Sequence, residues 1–510
     1  MQQLAYRFGG FLVFLLAVYL GGTAFAGHKL DGLIEKANEN GNELTIGERE
    51  LSFRFTHLGL SLAGVRLDQA VGERRISGTV SHVELGGLSL LKLLGGGDLS
   101  ASELAIDGFA LEVRPNPSAV TAATGKDGGP KNISVAELRL LNGAVSVFDA
   151  ENGLRAEMLG VRSTAALTLP LAPATAPKIS LQIDSVFMPG RKEADHSFSR
   201  VELDGEARRL TVAAFQSIPR KTARNFLTTV RYRTPWQALR VDDLTVEELP
   251  LDSLLTGGTA VFPDVTIGDF NLAVFENPTL ERDPAEARKP FPVEAFRQIG
   301  HPVLLRHLRV DRAGIAYGNL KEGSDKPDIT FAGTIDLKNL STFTQDEPAT
   351  ATADFTLDGT APLDVTFTLG QSADGRDFRA VGQLTDYDLP KVNPLLLVAA
   401  GADIESGHVH SLEHDFSVKG DLSTGKLTLK YEKLEVRMEG KNAWIINLIE
   451  DAVIRDSNPR NDGDLVIGQV NVDHDNKKSF FNLYWQSVVA GMTSSVAGNA
   501  LTPDKLDSIE

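Results

Sequence analysis

The sequence predicts a mostly β protein: an N-terminal transmembrane helix, a long and largely antiparallel β-sheet, and a C-terminal amphipathic helix. Three observations carry that prediction. Residues 8–26 are almost entirely apolar and uncharged, with Arg7 before them and His28-Lys29 after. From Leu51 onward the apolar period changes from 3.6 to 2, the change from a helical to a strand pattern. Four stretches then repeat one spacing, two alternating apolar pairs set seven apart. They are Leu104/Ile106 with Leu111/Val113, Leu138/Leu140 with Val145/Val147, Val265/Ile267 with Leu272/Val274, and Leu308/Val310 with Ile315/Tyr317.

Taken in order, residues 1–27 read as a membrane anchor, long enough to cross a bilayer as a helix. Ala24-Phe25-Ala26 before Gly27 also fits a signal-peptidase site. Leu30, Leu33, Ile34 and Ala37 keep a helical period up to Gly41, which favours an uncleaved anchor with a helical extension over 28–50. With Arg7 on the cytoplasmic side, the bulk of the chain lies outside the cytoplasm. Residues 51–114 form a first β segment, in which Leu51/Phe53/Phe55, Leu58/Leu60/Leu62 and Val65/Leu67 alternate. Gly64, Gly86-Gly87, Asp107-Gly108 and Asn142-Gly143 read as the turns of an antiparallel meander. Residues 115–131, rich in Pro, Ala, Thr and Gly, read as a flexible loop. Residues 132–440 continue the sheet, interrupted at 280–300 by charges and prolines that suggest short helical pieces over an edge or end. In the final segment, 441–510, Phe481, Trp485, Val488, Met492 and Val496 recur at helical spacing.

Each apolar repeat reads as two short strands, or one bent strand, with a single apolar side. A sheet with such a side must cover it, either with a second sheet or with something apolar that is not protein. Periodicity alone leaves a closed sandwich and an open groove both standing. At 510 residues and 42% apolar content the chain has ample material for a core, and a net charge of −17 with interspersed signs argues against a nucleic-acid partner. Cysteine is absent, which removes disulfides and thiolate metal sites.

Several segments resemble the AsmA-like family of bacterial envelope proteins. The stretch LSFRFTHLGLSLAGVRL at 51–67 looks like the family's opening strands, and LSASELAIDGFALEVRP (99–115) and VAELRLLNGAVSVFDAENG (135–153) like its short strand repeats. IESGHVHSLEHDFSVKGDLSTGKLTLKYEKLEVRM (404–438) and KSFFNLYWQSVVAGMTSSVAG (478–498) are similar to its later regions. The resemblance implies a single-pass anchor in the bacterial inner membrane and a curved sheet in the periplasm, with an apolar concave groove suited to lipid chains. Each CH₂ exposed to water costs roughly 0.8 kcal/mol, so an unprotected two-chain phospholipid costs on the order of 20 kcal/mol to move; a continuous apolar groove removes that barrier. At about 5 to 10 residues per strand and ~4.8 Å between strands, ~30 strands would give ~140 Å of sheet.

Candidate chemistry is sparse. His408, His410 and His414, with Glu413 and Asp415, hold metal-ligand side chains close in sequence, but no third ligand at fixed spacing accompanies them, so they read as surface histidines and no metal is expected. Gly95-Gly96-Gly97 lacks the Lys-Ser/Thr of a phosphate-cradling loop. Asp242-Asp243 and Glu247-Glu248 read as solvated strand or turn positions. The cations Arg220, Lys221, Arg224, Arg231 and Arg233 read as a solvated strand face, with lipid head groups or an acidic partner as the alternative. Nothing points to an enzyme or a cofactor.

The expected function is therefore an envelope protein that binds acyl chains along the sixteen apolar repeat residues and assists phospholipid transport between membranes or outer-membrane assembly. The alternative is a periplasmic scaffold or chaperone for outer-membrane proteins, acting through a sheet edge. The expected partners are phospholipid, the inner membrane through the N-terminal helix, and an envelope protein at the C-terminal end. There Phe480, Phe481, Tyr484 and Trp485 either cap the sheet or dock a membrane or partner.

Overall fold

A computed structural model of the chain describes residues 43–54, 57–71, 73–89, 99–116, 133–169, 179–190, 194–321, 326–370, 372, 374–400, 402–438 and 455–497. The expected anchor, residues 1–27, lies outside them, and no helix of the described residues is long and apolar enough to cross a membrane. The helical extension expected to reach residue 50 is corrected at its end: β1 (Glu43–Thr45) and β2 (Glu48–Arg54) are strands, both paired with β3 (His57–Val71).

The described residues are mostly β. Helix is confined to α1 (Ala223–Leu227), α2 (Leu251–Thr256), α3 (Pro292–Arg297), α4 (Asn393–Ala400), α5 (Phe480–Val496) and one 3₁₀ turn at Leu389–Val392. The chain divides into two units, one holding residues up to Ser217 with Thr245–Gly258, the other Ile218–Leu244 with Thr259 onward.

In the first unit β3 pairs antiparallel with β4 (Arg74–Ser89), and β4 with β5 (Leu99–Pro115). β5 pairs with β6 (Ile133–Phe148) in parallel. The antiparallel order then resumes through β7 (Leu154–Leu169), β8 (Ile179–Met188) and β9 (Ala194–Asp204), and β9 is followed by β10 (Arg209–Pro219). The loop expected over residues 115–131 lies, from 117 on, outside the described residues, and Pro115 itself ends β5.

The second unit repeats the motif. β11 (Trp236–Glu247) pairs with β13 (Asp264–Glu276), and β13 runs parallel to β14 (Val303–Asn319), which β12 (Ala260–Phe262) also joins. From β14 the ladder is antiparallel through β15 (Ile329–Ser341), β16 (Ala349–Leu357), β17 (Ala361–Leu369), β18 (Asp377–Asp388), β19 (Ala402–Lys419), β20 (Leu422–Met438) and β21 (Ile467–Asp473). The helical piece expected near 280–300 is α3, which delivers Phe291 and Val293 into the core of this unit.

The strands are longer than expected. β3 to β7 run 15 to 17 residues each, because the residues read as turns lie inside them. Gly64, Gly87, Gly108 and Asn142 all have positive φ, yet each sits within a strand. In an ordinary strand, residues seven apart point to opposite faces. A left-handed residue between them rotates the chain and returns the second apolar pair to the side of the first, at little cost for Gly or Asn. The positions align from strand to strand. Gly64 lies opposite Ser81, Ser81 opposite Gly108, and Gly108 beside Asn142; the line continues through Gly160 (φ 66) and Asp184 to Arg200 (φ 46). Ser81 Oγ donates to the Gly108 carbonyl at 3.0 Å, and Asn142 Nδ2 to Asp107 Oδ1 at 2.8 Å. A crease therefore crosses seven strands of the first unit, from β3 to β9.

Candidate functional site

The parallel pairs bring the repeats together. Leu104 lies beside Leu138, Ile106 beside Leu140, Leu111 beside Val145 and Val113 beside Val147. In the second unit Val265 lies beside Leu308, Ile267 beside Val310, Leu272 beside Ile315 and Val274 beside Tyr317. Parallel strands keep equivalent residues side by side at about 4.8 Å, so two copies of one pattern become rows of matched apolar side chains. The sheet is largely antiparallel, as expected, and these parallel pairs are the exceptions that set the copies in the same direction.

Burial along the rows is graded. In the first unit Leu104 (1% exposed), Ile106 and Leu138 are buried, whereas Leu111, Leu140 and Val145 pack against the core while half-exposed. Val113 and Val147 are half-buried further out. The second unit follows suit: Val265, Ile267 and Val310 are buried, and Leu272, Val274, Leu308, Ile315 and Tyr317 half-buried. Phe109, just past the crease, lies over Gly143, where a Cβ would stand 1.8 Å from its ring.

The first unit's core also draws on strands where the sequence showed no repeat. Ile76, Met158, Leu181, Val186 and Val201 flank it, half-exposed. Their signal was the change of parity across Gly160 and Asp184, Leu181 and Ile183 before it and Val186 after, which breaks a simple alternation. Among the described residues this unit is one layer of strands plus α2, which buries only Leu251. A single layer that leaves Leu62 and Val65 inaccessible must curl around its apolar side.

In the second unit a helix covers the last two strands. α5 lies on β20 and β21, and its buried face is Phe480, Leu483, Ser487, Val488, Gly491, Ser494 and Ser495. This corrects the expected face: Phe481 points outward, 66% exposed, and small residues take the contact because the helix approaches the sheet backbone at Gly468 and Gly491. Phe480 lies tilted against Phe378 at 4.6 Å and Phe367 at 5.5 Å, Tyr484 lies 5.3 Å from Phe367, and Trp485 packs half-buried against the same core. Three of the four aromatics are thus committed to capping. A cavity of about 150 Å³, bounded by Val293, Arg297, Asn339, Gln345 and Leu369, is smaller than the roughly 300–1,000 Å³ of ordinary ligand pockets.

The histidine set divides between two environments. His408 sits between Asp388 (3.0 Å) and Asp386 (3.2 Å), and His410 faces Glu432 at 3.7 Å. No group of described residues is arranged to hold a metal ion. His414, expected at the surface, is instead 3% exposed, with Nε2 3.3 Å from the Tyr484 hydroxyl beneath α5. Burial pushes the His414 imidazole down to about 4, against a slight upward pull from Asp415, which itself pairs with Arg379 on the outer side. The unfolded chain takes up this proton near pH 6.5 and the folded chain only near 4. The associated stability is therefore complete above about pH 6.5 and is lost as pH falls towards 4, a difference of about 3 kcal/mol. Urea unfolding midpoints measured between pH 7 and 4.5 should fall more steeply for the native protein than for His414→Gln, which keeps a polar partner for Tyr484 but does not titrate. Equal slopes would exclude this role.

The basic cluster is no strand face. Arg220, Lys221, Arg224, Arg231 and Arg233 lie in the connection from β10 to β11, around α1. Arg233 is paired with Glu276 at 2.8 Å and Arg224 donates to the Lys321 carbonyl. Asp242, largely covered, pairs with Arg240, and the more exposed Glu247 with Arg209.

Fold and site together define a mostly β protein built from strand ladders with matched apolar rows. In comparisons with known proteins, no family model matches the chain and no curated protein matches it.

Proposed function

We propose that the apolar rows bind acyl chains, and that the protein is an envelope protein assisting phospholipid transport between membranes. The observation that supports this reading is the half-exposed apolar row of the first unit, Leu111, Leu140, Val145, Met158, Leu181, Val186 and Val201, lying against the core with no second layer over it among that unit's described residues. Monomeric soluble proteins rarely leave large contiguous apolar surface exposed, and a flexible hydrocarbon fits a row that offers contact without directional bonds. The AsmA-like resemblance supports the same reading, along with an inner-membrane anchor and a periplasmic location for the rest of the chain.

The test is lipid extraction and mass spectrometry on the full chain, purified in a detergent that leaves tightly held phospholipid in place. Several phospholipids per chain are expected. Leu111→Asp or Val145→Asp should reduce that number severalfold, since an unpaired charge in an apolar row is costly to bury; Ala at either site should change it little. Circular dichroism at working temperature separates lost binding from lost folding. A well-folded protein with no bound lipid would sink the proposal, and loss of outer-membrane protein binding on placing Pro in an edge strand would favour the scaffold instead.

A further inference from the structure

From residue 207 to residue 241 the chain carries eight arginines and lysines and no aspartate or glutamate, although its net charge is −17. Four of these cations are answered by carboxylates from elsewhere: Arg208 by Asp252, Arg209 by Glu247, Arg233 by Glu276 and Arg240 by Asp242. Lys221 and Arg231, both exposed, form no ion pair among the described residues; Lys221 reaches only the Thr229 hydroxyl at 3.4 Å, and Arg231 lies over the Tyr232 ring at 5.0 Å. Ile218 is 51% exposed nearby in the chain.

This loop is fixed to the far end of the second unit's apolar rows. Arg233 N donates to the Glu281 carbonyl, Asn277 Nδ2 to the Leu227 carbonyl and Arg224 to the Lys321 carbonyl. Trp236 lies 6.0 Å from Phe275, and its Nε1 donates to the Lys221 carbonyl at 2.9 Å. The Arg233 charge also acts on Tyr317, the last residue of the β14 repeat, whose hydroxyl burial pushes up and Arg233 pulls back. Exposed cations, amphipathic aromatic rings and an exposed aliphatic side chain are the composition of a surface that settles at a membrane interface. An acidic polypeptide would satisfy the cations but would leave Ile218 without an apolar neighbour.

We propose that the loop over residues 218–236 docks on an anionic lipid surface, placing phosphate head groups at Lys221 and Arg231 where the β13 and β14 apolar rows end. This rests on the acyl-chain reading above and adds a head-group preference to it. The full chain, held in nanodiscs of phosphatidylcholine, should co-float with added vesicles rich in phosphatidylglycerol and not with vesicles of phosphatidylcholine alone, and binding should weaken as salt rises. Lys221→Ala with Arg231→Ala should lower the partition coefficient about 30-fold, at about 1 kcal/mol per cation. Equal binding to neutral vesicles, or a double variant that binds like the native chain, overturns the proposal. Capture of polyglutamate in place of vesicles overturns it in favour of an acidic protein partner. Phospholipid co-purifying with the same two proteins separates the readings: bound lipid with variant-insensitive docking removes only the head-group surface, and absent lipid with variant-sensitive docking removes only the acyl-chain rows.

Discussion

Replacing Asn458 by Ala should unfold the second unit at a temperature about 10 °C below that of the native protein. Asn458 is fully buried, in the segment that returns from β20 towards β21. Its Nδ2 donates to the Leu429 carbonyl at 2.6 Å, to the Val466 carbonyl at 2.9 Å and to Ser495 Oγ at 3.1 Å, while Oδ1 accepts from Val466 N at 2.8 Å. Its backbone exchanges two further bonds with Tyr431. One side chain therefore ties a central strand, an incoming loop and α5. Truncation leaves buried polar groups without partners at about 1–3 kcal/mol each, roughly 4 kcal/mol in all, and for a unit of this size each kcal/mol shifts the midpoint by about 2–4 °C. Asn458→Asp gives the sharper comparison. It preserves shape and the bond from Val466 N, but sets a carboxylate oxygen against the oxygens of Leu429, Val466 and Ser495, and should destabilise at least as much as Ala. A thermal melt of Asn458→Asp at the native temperature would refute this account.

The second large effect is expected at Gly468. A Cβ there would stand 1.9 Å from the Gly491 carbonyl oxygen and 3.1 Å from Ser495 N, both backbone atoms that no rotamer can move. Gly468→Val must therefore lift α5 from the sheet or displace β21. Overpacking of this kind costs about 3 kcal/mol. It would also open the contact between Ser487 Oγ and Ser423 Oγ, 2.8 Å apart and buried. Limited proteolysis should then cut near α5 in Gly468→Val while leaving the native chain intact. Gly300→Ala, where nothing lies within 4 Å of the added atom, should melt with the native protein. A resistant Gly468→Val would mean that the helix tolerates a wider gap than this packing implies.

Much of the fold was legible because strand alternation is a local property. The apolar pairs were visible in order and spacing, and the helix at the C-terminus in its period. What escaped was the meaning of seven. Asp107-Gly108 and Asn142-Gly143 have the composition of hairpin turns, and only their alignment with Gly64 and Gly160 across neighbouring strands makes them reversals within longer strands. Parallel pairing escaped for a related reason: identical spacing in two segments does not say whether they run together or apart. For the candidate site, the rows were found, but the residues that complete them, such as Met158 and Val186, lie on strands whose parity changes. His414 was misread because its alternation partners His408 and His410 do face outward; register shifts in β19, between Ile404 and Ser406, Ser406 and His408, and Val409 and Ser411, separate them. The face of α5 was misread because burial there follows small residues that admit the sheet backbone, not large apolar ones.

The crease carries a rule for how such a molecule grows. The left-handed residues of β3, β5, β6, β7 and β9 align across Ser81 of β4 and Asp184 of β8, so the line belongs to no single strand. A hairpin duplicated together with its reversal residues would join the line without disturbing those on either side. A single residue inserted on one side of it would turn half a strand inside out. Length across the strands is thus open to change by duplication, whereas the distance from crease to rim is held fixed. A chain built this way can match different spans by adding hairpins while keeping the same cross-section.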